Sequence, residues 1–248
     1  MCGMTIFVIL FRNNQLNNTI IVFFADHGQN LGEHNMWSMM NMMETSARVP
    51  MVIRAPRLQT VPLYPHVVEL VDLFPTLTTL VGLPFPTNAT PGIPLPGTDL
   101  TPGMRKGVVV KPVNAAFSQI TRCKSCILAY WKSPSQCLWD ALTDLQYTVP
   151  CAIAPKEFFN WMGMSVRTSS WRYTTWCPWN GTDLAVVDWS SCTLPELYDH
   201  RNDTALYDVD FVENVNLVND SRYSDIQREL FQLILQKFAN SKDVPRAQ

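Results

Sequence analysis

The chain has 248 residues, a formal net charge of -2 at pH 7 and 47% hydrophobic residues, a composition typical of a packed globular protein. Lysine and arginine are scattered and form no basic stripe, so nucleic acid is not an expected partner. No apolar run approaches the roughly 18 to 20 residues that cross a bilayer, and we predict no membrane-spanning segment.

The N-terminal residues do not resemble a signal peptide. No basic residue precedes the apolar stretch 5–11, and the polar residues 13–15 stand where a small-residue cleavage site would be expected. The sequence leaves two alternatives, an intracellular protein or a chain whose true beginning is missing. Its Asn-x-Ser/Thr sequons favour a secreted or lysosomal protein. Their asparagines are Asn17, Asn88, Asn180, Asn202 and Asn219.

The first half of the chain predicts an α/β domain. Residues 5–11 form the end of a helix, and residues 13–18 a polar turn. Residues 19–24 are β-branched or aromatic throughout, as in a central strand of a parallel sheet that is buried on both faces. A second buried strand is predicted over 49–53. A helix follows, with Asp72 as its cap, an apolar face and a stop at Gly82.

The second half predicts a small antiparallel sheet. Residues 84–102 are rich in proline and read as an irregular loop, and residues 121–155 read only as a long excursion. Residues 164–168 and 171–176 favour two strands around a turn, and residues 196–198 could add a third. A terminal helix over 221–238 carries apolar residues at helical spacing.

The cysteines give no clear metal site. Seven are present, so at least one is unpaired, and Cys123 and Cys126 are the only close pair. A four-ligand zinc site would need a second Cys/His pair at suitable spacing, which the four histidines do not supply. A loop disulfide or buried thiols are the favoured alternatives.

Asp26 and His27 are the first candidates for chemistry. They follow the predicted strand 19–24 directly, and open α/β sheets place their active sites beyond the carboxyl ends of such strands. A carboxylate beside an imidazole offers two ligands to one cation, and Gly28 permits a tight turn. The alternative is that Asp26 caps a helix and His27 is a half-buried structural side chain.

Several motifs in this order resemble the sulfatase family. The first is a strand that ends in Asp26-His27-Gly28, within a stretch that matches the family without a gap over residues 18–53. The others cover residues 68–77, 162–168, 171–174, 196–199 and 213–217. The Asp-His pair and the phrase Met162 to Thr168 are most similar to the iduronate 2-sulfatase branch of that family.

The resemblance implies an alkaline-phosphatase-like α/β fold. Residues 1–118 would be the C-terminal part of the main domain, a partial parallel sheet with helices. Residues 119–160 would be an irregular insertion that contains cysteine and tryptophan. Residues 161–248 would be a subdomain in which a small antiparallel sheet packs on a terminal helix.

The resemblance also implies hydrolysis of a sulfate ester with calcium as cofactor. In such enzymes an oxidised cysteine attacks sulfur while the metal holds the sulfate oxygens. Asp26 and His27 match the family's metal ligands, and His27 could instead donate a hydrogen bond to the nucleophile or the sulfate. The implied substrate is a sulfated sugar or glycosaminoglycan, and the implied location is the lysosome or the extracellular space.

The chain departs from the family pattern in two ways. None of its cysteines lies in a Cys-x-Pro-x-Arg motif, so no catalytic nucleophile is identified, and the remaining metal carboxylates would lie further upstream. Met39 stands where the family has a lysine that contacts sulfate, and a thioether carries no positive charge. We therefore expect the C-terminal portion of a sulfatase, inactive alone. The alternatives are a catalytically dead sulfatase-like protein and a two-zinc phosphodiesterase of the same superfamily.

Other polar and aromatic residues allow more than one role. Glu33 and His34 could shape the loop or line the pocket. Arg167, and with it Arg172, could meet an acidic sugar or remain solvated. The tryptophans could stack on sugar rings or pack in the core. The residues meant are Trp171, Trp176 and Trp179.

Overall fold

The computed structural model describes residues 8–56, 58–84, 88–90, 93–94, 96–123, 156–203 and 213–239. The chain divides into two compact units, Met1–Met39 with Met43–Ala115, and Met40–Met42 with Ala116–Gln248. We call them unit 1 and unit 2. The predicted boundaries after residues 118 and 160 stay predictions, since most of the proposed insertion lies outside the described residues.

In unit 1 the two predicted strands form an antiparallel ribbon. Strand β1 covers Ile21–Phe24 and strand β4 covers Met51–Arg54. Ile21 lies opposite Arg54, and Phe24 lies opposite Met51. The prediction of a parallel main sheet is therefore wrong for the described residues. An apolar run indicates burial and carries no information on strand direction, which the partner strand sets.

The ribbon is also not buried on both faces. Phe23, Phe24 and Val52 are 60%, 48% and 59% exposed. Such side chains contribute their full burial energy only when another layer covers them, about 25 cal/mol per Å² of apolar surface. In the described residues the ribbon therefore exposes apolar side chains on both faces, Phe23 and Val52 on one and Phe24 on the other.

Short elements complete unit 1. Strands β2 (Asn30–Leu31) and β3 (Trp37–Ser38) pair in the loop between β1 and β4, which also contains helix α1, Glu44–Ala47. Strands β5 (Asn88–Thr90) and β6 (Ile93–Pro94) pair with each other. Helices α2 and α3 cover Leu73–Leu80 and Thr101–Lys106.

A buried ionic cluster fixes the start of α2. Asp72 is 1% exposed, and its Oδ2 accepts a hydrogen bond of 2.8 Å from the Glu69 amide, closing a capping box over a 3₁₀ turn. Lys111 Nζ lies 2.5 Å from Glu69 Oε2 and 3.6 Å from Asp72 Oδ2. Asp72 precedes α2 as predicted, but its side chain makes no capping hydrogen bond to that helix. It accepts instead from the amides of Glu69 and Thr98.

Unit 2 is an antiparallel sheet, as predicted. Its strands are β7 (Ala115–Cys123), β8 (Phe159–Thr168), β9 (Trp171–Asn180), β10 (Ala185–Val186) and β11 (Thr193–Asp199). The order is β10-β9-β8-β7, and β11 pairs with β9 as well. Strand β9 is central to the sheet, because it pairs antiparallel with β8, β10 and β11.

The predicted terminal helix packs against this sheet. Helix α4 covers Ser224–Ile234 and continues as a π-helical turn, Leu235–Ala239. Its Leu230 and Ile234 are buried with Val166 and Leu197 of the sheet. The subdomain core therefore forms where the apolar spacing of the helix faces the strands. None of the described helices is both long and apolar enough to cross a bilayer.

A disulfide joins Cys177 of β9 to Cys192, the residue before β11. The two cysteines are 15 residues apart, a separation that the sequence analysis did not single out. The pair that it did consider, Cys123 and Cys126, falls at the edge of the described residues, so its pairing stays a prediction.

Candidate metal site

Asp26 and His27 lie directly after β1, on the loop that leads to β2. The Asp26 side chain is 84% exposed and the His27 side chain 41% exposed. The amide of His27 donates a hydrogen bond of 3.0 Å to Asp26 Oδ1. The loop thus presents a carboxylate and an imidazole together at the end of the strand, as the sequence predicted.

A backbone contact fixes which ring nitrogen of His27 is available. Nδ1 lies 2.8 Å from the Gly28 carbonyl oxygen, and a carbonyl can only accept a hydrogen bond. Nδ1 therefore carries the proton, and in the neutral ring Nε2 keeps its lone pair. Histidines that bind metals are commonly oriented in this way by a backbone carbonyl.

The two donor atoms converge. His27 Nε2 lies 3.7 Å from Asp26 Oδ2, a separation at which both atoms could contact one cation with bonds of about 2.3 to 2.6 Å. The chemistry of the pair therefore fits a metal ion. No group of three or more His, Cys, Asp or Glu side chains includes this pair in the described part of the chain. A complete calcium site at Asp26 and His27 would need further ligands, since calcium takes six to eight.

Asn30 anchors the loop behind this pair, and the sequence analysis missed it. It is fully buried, and its Nδ2 donates to the Ser38 carbonyl oxygen at 2.7 Å and to Ser46 Oγ at 2.8 Å. Its Oδ1 accepts from Thr45 Oγ1 at 2.5 Å. One amide therefore ties β2 to β3 and to α1. Nothing in its spacing distinguished it from the other asparagines of the chain.

Gly28 is required by close packing on α1. Its amide donates a hydrogen bond of 2.9 Å to the Ser46 carbonyl oxygen. A Cβ atom at this position would lie 2.0 Å from the Thr45 carbonyl oxygen. Any larger residue would push the backbone away from α1 and displace His27 with it.

Glu33 and His34 shape the turn between β2 and β3. Glu33 Oε2 accepts a hydrogen bond of 2.6 Å from the Leu31 amide, and this contact lowers the pKa of Glu33. His34 adopts a left-handed backbone conformation, with φ of 54°. Its buried Nε2 has no hydrogen-bond partner among the described residues. The geometry favours a structural role for Glu33, while a role of His34 in a pocket stays a prediction.

No cation stands at position 39. Met39 Sδ accepts a hydrogen bond of 2.9 Å from Ser38 Oγ. Arg48 lies nearby in sequence, but its NH1 faces the buried carboxylate of Glu44 at 3.7 Å. Among the described residues, neither Met39 nor Arg48 therefore takes the place of the lysine in the family pattern.

Arg167 and Arg172 belong to a buried ionic network in unit 2. Arg172 is 2% exposed, and its Nε lies 2.5 Å from Glu213 Oε1. Arg167 NH2 lies 3.3 Å from Asp203 Oδ2. Arg172 is thus held in a buried structural ion pair, and its side chain is not exposed to a substrate. Arg167 is partly exposed, and its predicted contact with an acidic sugar stays a prediction.

His200 joins the two ion pairs of this network, which sequence analysis did not foresee. Its Nδ1 lies 2.7 Å from Asp203 Oδ2, and its Nε2 lies 3.0 Å from Glu213 Oε1. Burial raises the pKa of Tyr198, and the carboxylates of Glu196 and Glu213 raise it further. Breaking such a cluster by removing one member leaves an uncompensated buried charge.

The tryptophans of β9 are mostly packed. Trp171 is buried, its ring centroid 5.3 Å from that of Tyr223, and the Arg201 guanidinium lies 4.7 Å over it. Trp176 is partly buried beneath Arg122, at 5.3 Å. These contacts favour the packing alternative for Trp171 and Trp176.

Comparison with known proteins gives a family match for the segment around Asp26 and His27. The sulfatase family model matches residues 5–83, the segment that contains β1, the Asp26–His27 pair and the Asn30 anchor. This segment of the chain is therefore similar to the sulfatase family, as its motifs predicted.

Particular relatives are more distant. Iduronate 2-sulfatase from Homo sapiens is 29% identical over an alignment of 261 residues that covers 88% of this chain and 41% of that protein. Arylsulfatase K from Rattus norvegicus is 36% identical over 83 residues, covering 34% of this chain and 15% of that protein. The chain thus spans about two fifths of the length of the iduronate 2-sulfatase that it matches.

Solved structures show the same fold. The phosphonate monoester hydrolase from Silicibacter pomeroyi matches 97% of this chain and 38% of its own, with a TM-score of 0.60 and 19% identity. BT4656, solved in complex with its substrate D-glucosamine-2-N,6-O-disulfate, matches 96% of this chain and 37% of its own, with a TM-score of 0.58 and 20% identity. At these identities the likeness concerns the fold, which is of the alkaline phosphatase and sulfatase type.

Proposed function

We propose that this chain forms one side of the active site of a sulfatase-type hydrolase that cleaves sulfate esters. One observation carries the proposal: His27 Nε2 and Asp26 Oδ2 converge to 3.7 Å at the end of β1, inside the segment that matches the sulfatase family. The Gly28 carbonyl orients the imidazole, and Asn30 holds the loop. Asp26 and His27 thus supply two ligand atoms that already lie close together.

The cation that suits this site is calcium. Asp26 supplies an oxygen ligand, which calcium prefers, and His27 supplies either a nitrogen ligand or a hydrogen bond to the sulfate. A bound calcium ion would stabilise the negative charge that gathers on the sulfate oxygens during hydrolysis. No cysteine of this chain lies in a Cys-x-Pro-x-Arg motif, so the proposal assigns the attacking nucleophile to a segment outside this sequence.

A sulfated sugar, and within that class a sulfated glycosaminoglycan, is the proposed substrate. Iduronate 2-sulfatases match most of this chain, and one structural neighbour was solved with a disulfated glucosamine. The proposed location is the lysosome or the extracellular space. The Cys177–Cys192 disulfide supports it, because disulfides persist in oxidising compartments.

Met39 motivates a second candidate, a sulfatase-like protein without catalytic activity. The thioether of Met39, which accepts a hydrogen bond from Ser38, provides no positive charge for a sulfate group. Such a protein could still hold a metal at Asp26 and His27, so metal binding alone does not separate the two candidates.

Hydrolysis of an aryl sulfate separates them. The chain is combined with a sulfatase N-terminal segment that carries Cys-x-Pro-x-Arg, and calcium-dependent release of the phenol is measured. We expect turnover that falls at least about 100-fold in Asp26→Asn, as for loss of one electrostatic contact to the reacting group. Asp225→Asn, on an exposed face of α4, is the matched control. Turnover that is absent, or unaffected by Asp26→Asn, contradicts the proposal, and zinc-dependent activity would indicate the phosphodiesterase alternative.

A further inference from the structure

The disulfide of unit 2 sits beside an irregular stretch of β11. Thr193 pairs with Trp176 of β9, and pairing resumes at Glu196 with Thr174. Two residues of β11, Leu194 and Pro195, therefore lie opposite one residue of β9, which is the count of a β-bulge.

The bulge is strained and weakly bonded. Leu194 has φ of 50° and is 68% exposed. The left-handed conformation is unfavourable for leucine, and burial of the side chain does not offset its cost. Pro195 has no amide hydrogen to donate to the ladder. One side-chain hydrogen bond helps to hold the stretch, from Thr175 Oγ1 to the Thr193 carbonyl oxygen at 3.1 Å.

The disulfide is the strongest tether of this stretch. Extending the register by one residue from Thr193 and Trp176 places Cys192 opposite Cys177, and the two are covalently joined. Cys177 is fully buried, whereas Cys192 is only partly buried. On the other side of the 3₁₀ turn Trp189–Ser191, the Val187 amide bonds to the Pro178 carbonyl oxygen at 2.9 Å.

The tethered stretch forms one wall of a pocket of about 220 Å³. Cys192, Pro195 and Ser190 come from this wall, together with Trp189. The opposite wall comes from β9 and α4, where Tyr173 and Phe231 pack with ring centroids 6.5 Å apart. Only the first wall depends on the disulfide.

We propose that the Cys177–Cys192 disulfide is a redox-sensitive latch that holds the bulge of β11 on β9 and keeps this aromatic pocket closed on one side. Reduction by a small thiol frees Cys192 to Pro195 and widens the pocket. Pairing from Glu196 to Asp199 remains, because it rests on its own ladder and on buried Leu197 and Tyr198.

The exchange reaction follows from the exposure of the two sulfurs. A thiolate of the small thiol attacks the partly buried Cys192 Sγ and forms a mixed disulfide, while the S–S bond breaks and Cys177 leaves and takes up a proton. A second thiol molecule then attacks the sulfur of the first, which releases Cys192 as a thiol. The protein disulfide is reduced to two thiols, and the two thiol molecules are oxidised to one disulfide.

Hydrogen exchange on the full chain tests the latch, before and after treatment with dithiothreitol, with reduction confirmed by alkylation of Cys177 and Cys192. We expect amide exchange at Thr193 and Leu194 to become about tenfold faster, and exchange at Leu197 to stay unchanged. The double variant Cys177→Ser/Cys192→Ser should show the fast rates without thiol.

The matched control is Cys2→Ser, which should respond to thiol as the wild type does. Three outcomes overturn the proposal: unchanged exchange at Thr193 and Leu194 after reduction, equally accelerated exchange at Leu197, or a disulfide that reacts only in denaturant. The second outcome would mean that the disulfide supports the whole sheet.

Discussion

Removing the Asn30 side chain should loosen the metal-site loop. In Asn30→Ala, the Ser38 carbonyl oxygen, Ser46 Oγ and Thr45 Oγ1 all lose a partner at distances between 2.5 and 2.8 Å. Each buried group left without a partner costs about 1 to 3 kcal/mol, and relaxation recovers part of it. We therefore expect unfolding free energy to fall by about 2 to 4 kcal/mol.

Urea denaturation followed by the fluorescence of the chain measures this change, with hydrogen exchange at β2 and β3 to localise it. Asn219→Ala, at an exposed asparagine in a turn, should change the unfolding free energy by less than about 0.5 kcal/mol. A loss in Asn30→Ala as small as that of the control would refute the anchoring role.

Two further predictions concern the exposed ribbon and the turn. The chain should bind a hydrophobic dye such as ANS through the exposed apolar side chains of the ribbon, which include Phe24, and Phe24→Asn should reduce the signal. Equal fluorescence of both proteins would contradict this prediction. The pKa of Glu33, followed by NMR, should lie below its ordinary value. The hydrogen bond from Leu31 then stabilises the folded state at pH values above the unfolded pKa of Glu33. This stabilisation is lost as the pH falls through the folded pKa, and Glu33→Gln should remove the pH dependence.

The antiparallel subdomain could be predicted because its information is local. The β-branched and aromatic residues of β8 and β9, the turn at Ser169 and Ser170, and the apolar spacing of α4 each specify a structure from neighbouring residues. The same holds for Asp26 and His27, whose adjacency placed both donors on one loop.

The rest depends on contacts between residues distant in sequence. An apolar run does not indicate which strand it pairs with, so the antiparallel direction of β4 relative to β1 could not be predicted from it. Asn30 became an anchor only because Ser38 and Ser46 meet its amide across the loop. The contacts of Arg172 and His200 with Glu213 likewise join positions 41 and 13 residues apart.

The central claim is that Asp26 and His27 hold a cation together, and paramagnetic NMR tests it most directly. Mn²⁺ added to the full chain should broaden the amide signals of residues 25–28, and calcium should reverse the broadening by competition for oxygen ligands. Asp26→Asn should abolish the effect, and Asp225→Asn should leave it intact. Broadening that is absent from residues 25–28, or that persists in Asp26→Asn, would contradict the claim.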